Sequence, residues 1–459
     1  MKNWVIEEFQ NIDLKDERLN KRSKIILNKL SNKPYESIPK AFSGFHETTA
    51  AYRFLNNDNV NYDNVLSAHR DATLKRLNNE EVILAIQDTT SIDYTFKKIG
   101  SELGHLENSK RSGYLLHPTL LTNDKGLCLG ICKSKLWTRN PKEIGAAKLR
   151  KKMPINKKES YRWIESYNYS CELANMLPEK KIINIADRES DIYELFYEAN
   201  KEKNNAHLVV RAGYNRRTLN ENKEVTLLRD RLEKMPSKGK IKVSIPRTST
   251  RKKRISEFTV KYENVEFLVP ANKVKDFSNI KINVITFKEE TKDAEIKPIE
   301  WILITTLDIQ NMEAAVKLLG YYKARWQIEI FFRTLKTGCK IEELQLEKKE
   351  RLEPCLALYM IIAWRIMYIT MIGRVYPNLP ADQVFETEEI EIISIIANKK
   401  SPSEKLTVKA LIRIIASFGG FLGRKSDGEP GPEQIWTGLK RVSDFVLTYK
   451  RLKEFNTYV

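Results

Sequence analysis

Two short apolar runs each end in an aspartate: residues 81–87 (EVILAIQ) lead into Asp88, and residues 181–186 (KIINIA) lead into Asp187. Short runs this rich in Ile, Val and Leu read as core strands. Further strands are expected at 114–121 and 126–136, a hairpin around Asn123-Asp124-Lys125-Gly126, and at 207–212 (HLVVRA), with helices at 158–176 and 190–200. Three strands, a helix, a strand, a helix and a strand specify an α/β fold on one mixed sheet. At the carboxyl end of a strand the side chain leaves the core while its backbone stays fixed, and there α/β sheets commonly place ligand-binding groups. Taken singly, each aspartate also suits a turn or cap, and Asp187-Arg188-Glu189-Ser190 also suits the start of a helix.

Around this core the pattern changes. Residues 1–70 read as a small helical module in which Arg18, Arg22 and Lys29 share one face while Leu19, Ile26 and Leu30 form an apolar side. Residues 215–300 carry β-branched runs (KIKVSIP, FTVKYENVEFLVP, IKINVITF) and read as a β-rich insertion, after which WILITTL at 301–307 returns to core-strand character. Helical pattern follows from about 311 to 372. An acidic stretch from Asp382 to Glu391 precedes a helix at 433–450, whose Trp436, Leu439, Val442 and Val446 suit pairing with a second copy or with its own domain.

The 459 residues carry 79 Lys and Arg against 60 Asp and Glu, a formal net charge of +19. Two segments, 133–158 (net +9) and 216–254 (net +10), hold the whole excess. That concentration points to a polyanion such as nucleic acid, with solvated Lys-rich loops as the alternative. Five cysteines without a CxxC pair or zinc spacing suit a reduced, cytoplasmic protein, and the N-terminus shows no apolar run of a secretory signal. Residues 355–373 are long enough to span a bilayer, but Arg365 at their centre would cost roughly 2.5–3.5 kcal/mol there. A helix buried in protein, and no membrane partner, is the expectation.

The most specific pattern lies in YYKARWQIEIFFRTLKTG. Tyr322, Arg325, Glu329 and Lys336 stand at offsets 0, 3, 7 and 14, which at 100° per residue places them on one helix face; Arg333 joins them, while Ile328, Phe331 and Leu335 fall opposite. Alone, this also describes a salt-bridge stripe. With Asp88 and Asp187 it makes three carboxylates beside a basic, aromatic face, a set suited to two-metal phosphoryl transfer, where hard oxygen ligands hold Mg²⁺ ions about 3.5–4 Å apart. His46, His69, His105, His117 and His207 show no metal-binding spacing, which argues against a zinc hydrolase. Residues 420–426 have the wrong glycine spacing for a phosphate loop, so no ATP is expected.

These motifs, IQDTTS, SGYLLHPTLL, ADRESDIYE and YxxRWxIExFFRxxKTG, resemble the bacterial cut-and-paste DDE transposases of the Tn-five type, within the insertion-sequence-four group. The resemblance extends to AAYRFLNNDNV at 50–60, LVVRA at 208–212 and GGFLGRKSDGEPGPEQIWTGL at 419–439, and so to nearly the whole chain. It departs at Tyr114-Leu115, where the family commonly has two tryptophans. It implies a ribonuclease-H-like mixed-sheet core with a β-rich insertion, flanked by helical domains. It further implies Asp88, Asp187 and Glu329 as a catalytic triad binding Mg²⁺ or Mn²⁺, with Tyr322, Arg325 and Lys336 on the DNA phosphates; Arg333, on the same face by period, is expected to contact DNA beside them. Trp301 would stack on a flipped base, Arg211 would contact DNA near the metals, and Arg18, Arg22 and Arg53 would serve end recognition.

The expected domains are accordingly 1–70, helical and DNA-binding; 71–372, the catalytic core interrupted at about 215–300; and 373–459, helical and suited to dimerisation. The expected activity is cut-and-paste transposition by a homodimer on duplex DNA with terminal inverted repeats, through nicking, hairpin formation and opening, and strand transfer to target DNA. A metal nuclease without strand transfer, or a transposase-derived repressor, are the rival readings.

Overall fold

The computed structural model describes residues 4–42, 44–107, 110–140, 153–201, 205–220, 222–245, 253–291, 297–397 and 406–456. Much of the first basic segment (141–152) and part of the second (221 and 246–252) lie outside the described residues. From the N-terminus, helices α1 (Trp4–Glu8), α2 (Glu17–Asn32), α3 (Ile38–Ala41), α4 (Phe45–Leu55) and α5 (Tyr62–Arg76) precede strands β1 (Val82–Gln87), β2 (Thr90–Asp93), β3 (Gly113–Asn123) and β4 (Cys128–Trp137). Next come α6 (Tyr161–Met176), β5 (Lys181–Ala186), α7 (Tyr193–Ala199), β6 (His207–Arg211), β7 (Arg217–Leu219), β8 (Val225–Leu227) and α8 (Leu228–Lys234). Strands β9 (Gly239–Ile245), β10 (Arg254–Phe267), β11 (Ile280–Glu289) and β12 (Glu300–Thr305) follow. Helices α9 (Met312–Ala324), α10 (Trp326–Arg333), α11 (Lys349–Val375), α12 (Thr387–Ile396), α13 (Val408–Phe418) and α14 (Pro432–Asn456) complete the chain. Two compact units result, one of Glu80–Asp88 with Ala146–Arg325, the other of Met1–Asn79, Thr89–Gly145 and Trp326–Val459.

The first of these units is a large mixed sheet in the order β1-β5-β6-β12-β11-β10-β7-β8, with β9 also paired to β10. β1, β5 and β6 run parallel, and from β6 to β12 onward the pairing is antiparallel. β1 is apolar on both faces, with Ile83, Leu84, Ala85 and Ile86 all buried, as a strand in the middle of a covered sheet must be. Two buried amides sit among them and are satisfied. Gln87 Nε2 donates to Asn184 Oδ1 at 2.7 Å and to Trp163 O at 3.3 Å, and Asn184 Nδ2 donates to Ser170 Oγ at 2.9 Å. This chain ties β1, β5 and α6 together directly below the strand ends. The β-rich insertion does not stand apart: β11 pairs with β12 from Asn283 to Lys288, so the insertion extends the core sheet.

The second unit is mainly helical around the β3–β4 hairpin, on which β2 also pairs. Its central helix, α11, is the long apolar run of the sequence; 83% of its most apolar window is buried in protein. Trp364 on α11 donates from Nε1 to Cys128 O at 3.0 Å, and the Arg76 guanidinium lies 4.1 Å from its ring centroid. α14 uses its apolar side within the unit: Ile435, Trp436 and Val442 are buried, and a Cβ on Gly438 would stand 1.9 Å from Ile415 O. All five cysteines are buried and unpaired.

A buried ionic knot joins α1, α5 and β4. His69 is bonded through Nδ1 to Glu8, and its Nε2 accepts from Ile131 N at 2.9 Å, so the ring is the neutral tautomer carrying its proton on Nδ1. Burial alone would raise the Glu8 carboxyl, but His69 and Arg76 overcome it and pull the group down to about 2. Burial pushes His69 below its ordinary value, against the opposing pull of Glu8. Both groups bind protons more readily unfolded than folded, so both cost stability on acidification, His69 from about pH 6.5 downward and Glu8 below about 4.5. The melting temperature is therefore expected to fall between pH 7.5 and 5.5, and His69→Gln, which keeps a donor and an acceptor but cannot titrate, should flatten that slope. A wild-type melting temperature independent of pH across this window would contradict a His69 held neutral by burial.

Candidate active site

Parallel pairing sets Ile86 opposite Ile185, and carrying that register two residues further brings Asp88 and Asp187 side by side at neighbouring strand ends. The Asp187 side chain accepts from Glu189 N at 2.9 Å and caps the short turn Arg188–Ser190. The cap and the strand-end placement therefore coexist in one residue. Asp88 Oδ2 lies 3.1 Å from Arg325 Nη1, and the two side chains are only 16% and 14% exposed, so the pair is largely withdrawn from water. Arg325 itself is the C-cap of α9.

One turn earlier on α9, Tyr322 is buried. Burial raises its phenol above the usual tyrosine range, while Arg325 and Arg211, the latter hydrogen-bonded to it, pull the other way. The phenol stays neutral and keeps a proton to donate. Arg211 also donates from Nη2 to Glu300 O at 3.2 Å, next to Trp301. The half-buried Trp301 indole stacks on Phe258 with centroids 5.3 Å apart and planes 5° from parallel. Of the expected residues, the sheet unit thus gathers Asp88, Asp187, Arg211, Tyr322 and Arg325, with Trp301 on the strand to which Arg211 is bonded.

The sequence reading missed Asp191. Its buried carboxylate accepts from Gly213 N at 2.7 Å, Tyr214 N at 2.8 Å and Arg216 Nε at 2.8 Å, so it fixes the turn after β6 against the turn that Asp187 caps. The second aspartate of ADRESD was the available signal.

The remaining expected residues belong to the helical unit. Glu329 on α10 is half-buried and Arg333 is exposed. The period of 100° per residue does not carry through to Lys336, because Thr334–Gly338 is a π-helical turn, a local widening frequent at functional sites. Lys336 is 27% exposed and its Nζ lies 3.9 Å from Glu342 Oε1; burial pulls its pKa down while Glu342 opposes. Glu342 Oε1 also accepts from Asp93 N at 2.9 Å, and Asp93 holds Arg111. Arg18 and Arg22 on α2 and Arg53 on α4 are exposed, whereas Lys29 is bound to Glu47 at 2.5 Å and leaves the expected basic face. Among the described residues no group of three His, Cys, Asp or Glu side chains stands close enough to hold a metal ion by itself.

The second basic segment also differs from its net charge. Arg216, Arg229, Arg231, Lys240 and Arg254 are each paired with carboxylates: Asp191, Glu300, Glu263, Glu257 with Glu290, and Glu289, all outside the segment. Much of this charge serves the sheet.

Residues 1–60 match the transposase DNA-binding family, residues 167–364 the transposase DDE domain, and residues 361–457 the transposase Tn5 dimerisation domain. The chain belongs to the DDE transposases of the Tn5 type. Asp187, Trp301 and Glu329 fall inside the matched DDE range and Asp88 precedes it. A cryo-EM structure of the piggyBac transposase synaptic complex with hairpin DNA is similar at a TM-score of 0.32 and 9% identity, over 68% of this chain and 52% of that one. This chain spans about half the length of that protein.

Two glycines test the packing around the site. A Cβ on Gly338 would meet the Trp436 ring at 3.1 Å, whereas one on Gly320, exposed in α9, would meet nothing within 4 Å. Gly338→Ala is expected to destabilise the chain by about 1–3 kcal/mol, and Gly320→Ala to stabilise it by roughly 0.5–1 kcal/mol. Urea unfolding of both variants checks the pair, and equal effects would refute the close approach at Gly338.

Proposed function

We propose that the chain catalyses cut-and-paste DNA transposition, with Asp88, Asp187 and Glu329 as the catalytic carboxylates. The observation that carries this reading is the parallel β1–β5 register, whose continuation puts Asp88 and Asp187 just beyond neighbouring strand ends, with Arg325 bonded to Asp88 and Tyr322 near Arg325 and Arg211. Two neighbouring carboxylates form an all-oxygen donor set suited to Mg²⁺, with Mn²⁺ able to substitute. Held by Asp88, Asp187 and Glu329, such an ion would supply Lewis acidity toward an attacking water or 3′-hydroxyl and a leaving oxygen.

The protein's own groups position the DNA. The neutral Tyr322 phenol donates to a phosphate oxygen, and Arg325 reaches the same strand by exchanging part of its bond to Asp88. Arg333 and Lys336 extend the cationic contact, and Arg211 holds the strand near the carboxylates. The Trp301 indole takes an unstacked base, which opening or closing a hairpin at a DNA end requires. Arg18, Arg22 and Arg53 on the helical N-terminal domain (1–70) read the terminal inverted repeats. The C-terminal domain (373–459) pairs two copies around two DNA ends before joining to target DNA. Nicking, hairpin formation, hairpin opening and strand transfer are all in-line displacements at phosphorus by water or a hydroxyl, so one site serves each step without ATP.

The decisive experiment is cleavage of a plasmid carrying the DNA that flanks the gene, in Mg²⁺ and in EDTA. Asp187→Asn is the variant of choice, since its side-chain oxygen can still accept from Glu189 N while the charge is lost. Metal-dependent release of hairpin-ended fragments is expected from the wild type, with the Asp187→Asn substitution lowering the rate at least about 10²-fold at unchanged DNA affinity. Binding without cleavage in Mg²⁺ or Mn²⁺ would leave a repressor.

Affinity for the same DNA should also report the paired cations. If the basic segments and helix face together could neutralise about ten phosphates, the five bases of the second segment engaged in ion pairs reduce this to about five, and log affinity should fall with log salt at a slope near −5. A slope near −9 would return the whole segment to the DNA surface.

A further inference from the structure

The stacked pair on the sheet suggests a role for a residue that is otherwise plain core. Phe258 lies opposite Glu289 on β10 and β11, while Trp301 lies opposite Phe287 on β11 and β12. Positions 287 and 289 share a sheet face, so Phe258, Phe287, Glu289 and Trp301 all project to the same side. Phe258 and Phe287 are fully buried and Trp301 is not. Among the described residues Phe258 is the one ring against the indole. One face of Trp301 is thus backed by an immobile aromatic plane nearly parallel to it.

The strand that carries Trp301 is also clamped at its entry. Glu289, almost fully buried, accepts from Arg254 Nε at 2.7 Å and Nη2 at 2.8 Å, and from Ile299 N at 2.9 Å. Its own N–H donates to Ile299 O at 2.9 Å. Two residues before Trp301 the backbone is therefore fixed from both sides, and at Glu300 it is bonded to Arg211. An indole that must receive a base gains from such rigidity, because a ring free to turn would lose that freedom on binding.

We infer that Phe258 is a positioning residue, which holds the Trp301 indole as a preformed platform so that an unstacked base completes a three-layer stack of Phe258, Trp301 and base. The inference rests on the base-stacking reading of Trp301. Phe258 itself touches no DNA; it acts by keeping the indole flat and in place during hairpin formation, not during the first nick.

The test uses the full-length protein and a synthetic duplex carrying one flanking boundary of the gene, with 2-aminopurine placed in turn at each terminal base. Nicking, hairpin formation and the fluorescence of the unstacked base are followed separately. Phe258→Leu and Phe258→Met fill the volume without a flat ring, and Phe258→Tyr restores the ring; melting curves confirm that each is folded. Leu and Met variants are expected to nick within about two-fold of wild type but to form hairpins about ten-fold more slowly, with the fluorescence signature altered, and the Tyr variant to recover most of the rate. Hairpin formation unchanged in Leu and Met variants, while Trp301→Ala abolishes it, would overturn the positioning role alone. Equal slowing of nicking and hairpin formation would overturn it too, as the mark of a merely structural residue. Hairpin formation untouched by Trp301→Ala would instead remove the base-stacking reading on which the inference stands.

Discussion

The parallel pairing of β1 with β5 is the constraint on which the site depends. A shift of one residue in that pairing would separate Asp88 from Asp187 along the strands. Burial on both faces does not itself choose the register, since an apolar side chain is buried on either side. Gln87, Asn184 and Ser170 do, through a hydrogen-bonded chain that a slip would break. Buried amides are costly when unpaired, so the same groups that complicate the core select its alignment.

Charge is used in a second way that net counts conceal. In the sheet unit, basic residues that look available in sequence are bound to carboxylates from distant strands and turns: Arg231 to Glu263, Arg254 to Glu289, Arg216 to Asp191. Partly buried Arg pairs of this kind fix geometry more than they add net stability. They brace the turns and strands that carry Asp187 and Trp301. Arg22 and Arg53 are exposed, and among the described residues Arg18 pairs with the neighbouring N-cap Asp16.

How much could be read in advance follows from the range of each signal. The strand at 181–186 and the strand at 207–212 were legible because burial on two faces writes itself as a continuous apolar run, within one residue of β5 and β6. The two aspartates were legible because they end such runs. Asp191 was not, since its partners Gly213 and Arg216 lie more than twenty residues away and come near only through the turn after β6. Phe258 escaped for the same reason: its partner Trp301 is two strands over, and nothing local in FTVKYENVEF marks one phenylalanine as a backing plane. The helical period placed Tyr322 and Arg325 together, yet failed toward Lys336, where the chain winds as a π turn. Periodicity assumes a uniform helix, and the local widening broke the assumption.

Arg325 joins these threads. Two neighbouring carboxylates repel one another. A guanidinium 3.1 Å from Asp88 offsets part of that repulsion. Under the proposed function this guanidinium would turn toward a phosphate by exchanging part of its bond to Asp88, since an Arg fork presents several N–H donors. It sits at the C-cap of α9, one turn from Tyr322. On the proposed function, the ion pair that moderates the carboxylate repulsion would also register a DNA strand against the site, and a lysine there, a single point charge without the planar fork, would serve the first purpose and not the second.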